Sequence, residues 1–310
     1  MTMTGEQPWS EFWQGETDEA SVASRRASTA FASLWREWST ELFEQQSAPV
    51  ILDAACGAGS VSREVIAAAQ QADPVIVSVD IAYSALKKLE DAPVLRATAD
   101  AAALPFAEGS FDAIASQYGV EYAGQEALEA LPALLAPHGR IRVLAHITDG
   151  AVAQECSDNL TVLHSLRERE LIQRVSELFQ ALRGLRPDLE SCDAAFRQVA
   201  QACGREVQTR ACPASTYAQR LFQDCATVLQ RNQAYDPKDM QLWFEGQAQS
   251  IEAYAARMSA MLSAALDRSQ IEMVLQAWER HGMADCTVKP VYAAADDSPA
   301  AWRLDAVRRS

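Results

Sequence analysis

The chain has 310 residues and a formal net charge of −15, from 27 Lys and Arg against 42 Asp and Glu. With 49% hydrophobic and 22% charged residues, it has the composition of a globular protein rather than of a disordered one. At roughly 150 residues per domain the length admits two domains, or one large domain with an insertion. A surface this acidic repels phosphate backbones, so no nucleic-acid partner is expected.

The opening stretch MTMTGEQPWSEFWQGETDEA is acidic and has no apolar centre, so a secretory signal is not expected. No run approaches the ~18 apolar residues of a membrane span, and no block is basic enough for a membrane surface. The expectation is a cytoplasmic, reduced protein. Residues 17–46 are predicted to be helical, because Phe31, Leu34, Trp35, Trp38 and Leu42 recur at three- and four-residue steps. Pro49 ends that helix. Short apolar stretches then alternate with helical ones: PVILDAA, SVSREVIAAAQQ, PVIVSVD, YSALKKLE, PVLRATAD, FDAIASQY, a helix near 124–135, and GRIRVLAH. Strands alternating with helices predict a parallel α/β sheet wound with helices.

From 151 to 267 that rhythm stops. Leu160, Leu163, Leu171, Val175, Leu178 and Leu182 predict one amphipathic helix ending near Gly184 and Pro187. Clusters around Cys192–Cys203 and Tyr217–Leu229 predict two more. A fourth begins near Met240, with Ile251, Tyr254, Met258, Met261 and Ala265 on one face. A further helix, Ile271–Arg280, is broken by Gly282. CTVKPVY and AWRLDAVR then read as an antiparallel hairpin about AAADDSP. The expected organisation is an N-terminal helical segment (1–47), a core (48–150 with 268–310) and a helical cap (151–267).

Chemistry concentrates where strands end. In Val50-Ile51-Leu52-Asp53-Ala54-Ala55-Cys56-Gly57-Ala58-Gly59-Ser60 a strand runs into a small-residue turn that opens a helix. Small residues let backbone approach a ligand, and the helix N-terminus offers free N–H groups. Asp53 ends this strand, Asp80 ends VIVSVD, and Asp100 ends the next, before Ala101. Each alone could serve as a helix cap or turn residue. Together they point to one crevice at the carboxyl edge of the sheet, where open α/β sheets bind ligands.

The set LDAACGAG, VSVDIA, ATADAAALPFAEGSFDAIAS and LLAPHGRIRVL resembles the class I, Rossmann-like S-adenosylmethionine-dependent methyltransferases over 50–150 and, more weakly, over 283–308. The resemblance implies a seven-stranded sheet of order 3-2-1-4-5-7-6 with its last strand antiparallel, S-adenosylmethionine as cofactor, and methyl transfer. It implies Ala55, Cys56, Gly57 and Gly59 around the methionine moiety, with Asp53 near its ammonium. Asp80 would hold the ribose hydroxyls, Ile81 would pack on the adenine, and Asp100 and Ala101 would meet the adenine edge. Ser116 and Gln117 would flank the methionine part. Ala55 stands where the family usually has its first glycine; a methyl group fits there provided the residue keeps a negative φ. The GxGxxG of a nicotinamide-binding turn is absent, since 57, 59 and 62 read Gly, Gly and Ser.

Other residues have functional and structural readings side by side. His146, with Asp149 nearby, is a candidate general base or a polar strand end. Tyr118, Glu121 and Tyr122 could orient an acceptor or begin a helix cap; Tyr118 joins His146 as the catalytic candidates. Trp9, Phe12, Trp13, Trp35 and Trp38 could form an aromatic lid or pack on the sheet, and Arg25 with Arg26 could meet a carboxylate or form surface ion pairs. Met258 and Met261 fit a pocket wall or a core. The seven cysteines contain no C-x-x-C pair and the four histidines no H-x-x-H, so neither a disulfide framework nor a metal site is expected. Cys156, Cys203 and Cys212 could hold a metalloid as in arsenite methyltransferases, or be buried thiols. The expected acceptor is a small molecule, because a large helical cap encloses a compact substrate better than a polymer. Another S-adenosylmethionine-using transferase, a macromolecule-modifying enzyme and a non-catalytic binding protein stand as alternatives. A homodimer is compatible with the sequence.

Overall fold

Strands buried on both faces read as nearly continuous apolar runs, because neither side meets water. β1 (Val50–Ala54), β2 (Val75–Asp80) and β4 (Phe111–Gln117) are such runs, β3 (Leu95–Thr98) is a mostly exposed edge strand, and β5 (Leu135–His146) follows β4. The structure is a computed structural model that describes residues 22–293 and 297–309. Trp9, Phe12, Trp13 and residues 17–21 of the predicted first helix lie outside the described residues, as do the side chains of Arg25 and Arg26.

The sheet has seven strands in the order β3-β2-β1-β4-β5-β7-β6, with β6 (Met283–Tyr292) and β7 (Pro299–Arg308) closing it. β1 to β5 pair in parallel, and β7 is antiparallel to both β5 and β6. Fold class and strand order therefore agree with the sequence reading.

Side chains alternate across the sheet, so neighbouring residues on a strand serve opposite layers. Ile51, Ala113 and Ala115 pack with Phe31, Trp35, Trp38 and Leu42 of α1 (Val22–Gln45) and Val61 and Val65 of α2 (Ser60–Ala68). Leu52 and Ile114 point the other way, into a cluster with Leu128 of α4 (Gln125–Ala130) and Ile271, Val274 and Trp278 of α10 (Arg268–Arg280). α3 is a single turn, Tyr83–Leu86. Trp35 and Trp38 are thus core residues on the sheet, with centroids 5.6 Å apart edge to face.

The chain divides into two compact units, one running to Gln154 and resuming at Met261, the other Glu155–Ala260. The α-helices between 151 and 267 number five rather than four: α5 (Ala151–Glu168), α6 (Leu171–Leu182), α7 (Leu189–Thr209), α8 (Pro213–Gln230) and α9 (Pro237–Ala264). The expected single helix across Leu160–Leu182 is two. Glu170 takes a left-handed backbone (φ 57°) and starts α6, a break with neither Gly nor Pro to announce it. Within the second unit, Asn159 accepts the backbone N–H of Ala214 at 2.9 Å, tying α5 to the start of α8. Cys156, Cys203 and Cys212 are buried there. Cys203 donates to the Ser165 carbonyl and Cys212 lies 3.4 Å from the Ser215 hydroxyl. Burial pushes the Cys156 thiol up to about 12. No cluster of three or more His, Cys, Asp or Glu able to hold a metal ion exists among the described residues. These three thiols are buried and form no such cluster, as small buried hydrophobes would. No described helix is long and apolar enough to cross a membrane.

Candidate functional site

The turn after β1 is built from left-handed residues: Ala55 at φ 52°, Gly57 at 53° and Gly59 at 78°. A tight strand-to-helix turn needs such backbone, and glycine adopts it without a Cβ clash. The condition under which Ala55 would fit, a negative φ, is not met. The alanine holds the strained conformation itself, and the space around it comes from Gly119. A Cβ on Gly119 would lie 2.6 Å from both the Cβ and the carbonyl oxygen of Ala55. Gly119 thus lets the turn after β4 close on the turn after β1. Gly59 has a packing role, since a Cβ there would lie 2.4 Å from the Leu89 side chain.

The turn is fastened to the end of β2. Gly57 donates its N–H to Asp80 Oδ2 at 2.8 Å, and Cys56 donates to the Val79 carbonyl at 2.8 Å. Asp80 Oδ1 accepts the N–H of Ala82 at 2.8 Å. Each Asp80 oxygen therefore keeps a lone pair beyond its backbone bond. Burial raises the Asp80 carboxyl above its ordinary range, against the opposing pull of those two N–H donors.

Asp53, 1% exposed, uses Oδ2 on Ser62, accepting its N–H at 3.0 Å and its hydroxyl at 2.5 Å. It thereby pins the first turn of α2 to the end of β1. Oδ1 is buried and has no hydrogen-bond partner. Burial pushes this carboxyl up to about 7, against the two Ser62 bonds and helped by the nearby charge of Asp80. Cys56 is buried, and burial raises its thiol. Ile81 is half-buried beyond β2. Asp100 is exposed and accepts the Ala102 N–H at 2.9 Å, capping a short turn that begins at Ala101.

The end of β4 is more heavily engaged than the sequence suggests. Ser116 is fully buried and accepts the Val120 N–H at 3.3 Å, while Gln117 accepts the Trp35 indole N–H at 2.7 Å. Tyr118 donates its hydroxyl to the Ala300 carbonyl at 2.7 Å, and its ring stacks on His146 with centroids 4.0 Å apart. Tyr122 meets the same imidazole edge-on at 5.4 Å. His146, 2% exposed, ends β5, and its Nδ1 lies 2.7 Å from Glu121 Oε1. Its Nε2 is buried with no hydrogen-bond partner. Asp149 is exposed, three residues on.

The ends of β1, β2 and β4 are thus stitched into one surface by Asp53, Asp80 and Gly119, with the His146–Glu121 pair at the end of β5. Gly119 and Leu89 escaped the sequence reading. The glycine in QYGVEY was its visible signal, whereas the leucine reads as ordinary helix core.

A protein-family model described as a methyltransferase domain matches residues 51–139, the span that contains the turn, Asp80, Asp100 and the end of β4. Residues 51–139 thus carry a methyltransferase domain, on a sheet of order β3-β2-β1-β4-β5-β7-β6. The residues present fit an adenosyl sulfonium: Asp53 presents an unmet buried carboxyl oxygen suited to an ammonium, and Asp80 has lone pairs suited to hydroxyls. No functionally curated protein shows significant sequence similarity to the chain. Among solved structures, a methyltransferase–activator complex from Haloferax volcanii is 17% identical over 44% of this chain and 59% of that one, with a TM-score of 0.35. An S-adenosylmethionine-dependent methyltransferase from Mesorhizobium loti is 20% identical over 34% of this chain and 50% of that one, at 0.29. One from Aquifex aeolicus is 15% identical over 36% and 64%, at 0.31. The chain thus spans between half and two thirds of these structures.

Proposed function

We propose that the protein transfers the methyl group of S-adenosylmethionine to a small-molecule acceptor. The observation that carries this is the fastening of the small-residue turn to Asp80, which sets a glycine backbone and a carboxylate with free lone pairs side by side at the sheet's carboxyl edge. In this reading Ala55, Cys56, Gly57 and Gly59 form the floor under the methionine part. Asp53 faces its ammonium, and Asp80 holds the ribose hydroxyls. Ile81, Asp100 and Ala101 bound the adenine, and Ser116 and Gln117 support the methionine side through the turn they hold. The donor supplies an electrophilic methyl group, so that the acceptor's electron pair forms the new bond to carbon while the C–S pair stays on sulfur. What the chain must add is alignment, exclusion of water and, for a protonated acceptor, a base. His146 is the candidate base, and Tyr118 supports it through its ring while its hydroxyl is spent on Ala300.

The preference for a small acceptor rests on chain connectivity and charge. The helical insertion leaves the sheet just after β5, beside His146 in the chain, as a cap would. The acidic surface disfavours nucleic acid. Incubation with methyl-labelled S-adenosylmethionine and a cell extract split by ultrafiltration tests it. Label is expected in the small-molecule filtrate, and label confined to retained macromolecules would contradict the reading.

A further inference from the structure

Glu121 and His146 are separated by 25 residues and meet at the ends of β4 and β5, both buried. Glu121 Oε1 faces two donors of His146, the ring Nδ1 at 2.7 Å and the backbone N–H at 3.1 Å. Oε2 accepts the Gly119 N–H at 2.9 Å. A carboxylate has only lone pairs to offer, so the ring proton sits on Nδ1 and Nε2 carries a lone pair. That Nε2 is buried without a partner, although buried polar atoms are nearly always met. A histidine that merely finished a strand would not need its ring held by a carboxylate with the outer nitrogen left bare. The same Glu121 carboxylate fixes Gly119, whose approach to Ala55 shapes the donor turn. One side chain thereby sets the spacing between donor floor and imidazole.

We propose that Glu121 is a positioning residue that holds His146 in the Nδ1–H form, so that Nε2 takes the proton of an acceptor hydroxyl. This rests on the methyl-transfer reading and names its acceptor class. A hydroxyl is a weak nucleophile until its proton moves, whereas a neutral amine attacks with its own pair and a carboxylate or thiolate is already ionised. In the step the O–H bond breaks, its proton goes to Nε2, and its electron pair stays on oxygen to bond the methyl carbon. The imidazolium then lies between the Glu121 carboxylate and the stacked Tyr118 ring. It returns to neutral by releasing the proton to solvent.

The test is nitrogen NMR of the full chain labelled with 15N-histidine, with His146 assigned by loss of its signals in His146→Asn. The wild type is expected to show a protonated Nδ1 and a bare Nε2. In Glu121→Gln one amide oxygen must face three N–H donors, so the ring is expected to lose its single tautomer and turnover to fall about tenfold or more. Glu121→Asp, which keeps the carboxylate, is expected to retain the Nδ1–H form. An Nε2–H ring in the wild type, or an unchanged tautomer in Glu121→Gln, overturns the positioning role. The acceptor class is read by incubating the wild type with 13C-methyl-labelled S-adenosylmethionine and small-molecule extract. An O-methyl carbon signal is expected, and N-methyl or S-methyl signals alone overturn it. Calorimetry with S-adenosylhomocysteine on the same wild-type sample separates the two claims. Binding with the wrong tautomer defeats only the inference, and no binding defeats the donor site beneath it.

Discussion

Gly59 and Leu89 give the sharpest check on how the turn after β1 is held. Gly59 sits at φ 78°, and a Cβ there would lie 2.4 to 2.9 Å from three atoms of the Leu89 side chain, itself fully buried. In Gly59→Ala the left-handed backbone costs about 1–2 kcal/mol and the overpacking about 1–3 kcal/mol. The stiffer unfolded chain returns about 0.4–1 kcal/mol. The net loss is about 3 kcal/mol. Leu89→Ala leaves a cavity and costs a similar amount, about 3 kcal/mol. Combining the two removes the clash but not the backbone strain, so the double variant is expected to lose about 4 kcal/mol rather than about 6. Denaturant unfolding of all four proteins, followed by both circular dichroism and tryptophan fluorescence, measures this coupling of about 2 kcal/mol. An additive double variant would refute the packing explanation and leave Gly59 as a purely conformational requirement.

Three further outcomes follow from other contacts. Gly119→Ala is expected to be at least as damaging as Gly59→Ala and to resist rescue by Ala55→Gly, because the Ala55 carbonyl oxygen, 2.6 Å from the added Cβ, remains; recovery of the melting temperature in the double variant would contradict this. Asp53 keeps its proton in the folded state up to about pH 7, while the unfolded chain releases it near 3.8. Its contribution to stability is therefore full below pH 4 and is lost as pH rises through 7, by at most about 4 kcal/mol. Relative to wild type, Asp53→Asn should gain stability across that window in denaturant titrations, and a pH-independent difference would sink the assignment. Tyr118→Phe is expected to cost about 1 kcal/mol through the lost bond to Ala300 while the ring remains stacked on His146; loss of more than about 3 kcal/mol in thermal unfolding would show a larger role for the hydroxyl.

The sheet was legible in the sequence because burial on both faces writes the central parallel strands as apolar runs, and helical stretches with turns between separate them. Asp53, Asp80 and the small-residue turn were legible for the same reason, since a strand end is where the run stops. Less was visible wherever a residue departs from its own propensity. Ala55 takes a glycine's backbone, and Glu170 breaks a helix in a stretch whose apolar period runs on unbroken. The remaining gaps are pairings at long sequence separation. Glu121 with His146, Trp35 with Gln117 and Gly119 with Ala55 are set by strand order, and no local pattern encodes them.

The donor site at the sheet's carboxyl edge is tested most directly by calorimetric titration of S-adenosylhomocysteine into the wild type and Asp80→Ala. The wild type is expected to bind at one site. Loss of a charged acceptor, worth about 1.5–3 kcal/mol, should weaken that binding by about tenfold to a hundredfold in the variant. No heat of binding in the wild type, or equal affinity in a folded Asp80→Ala, would contradict it.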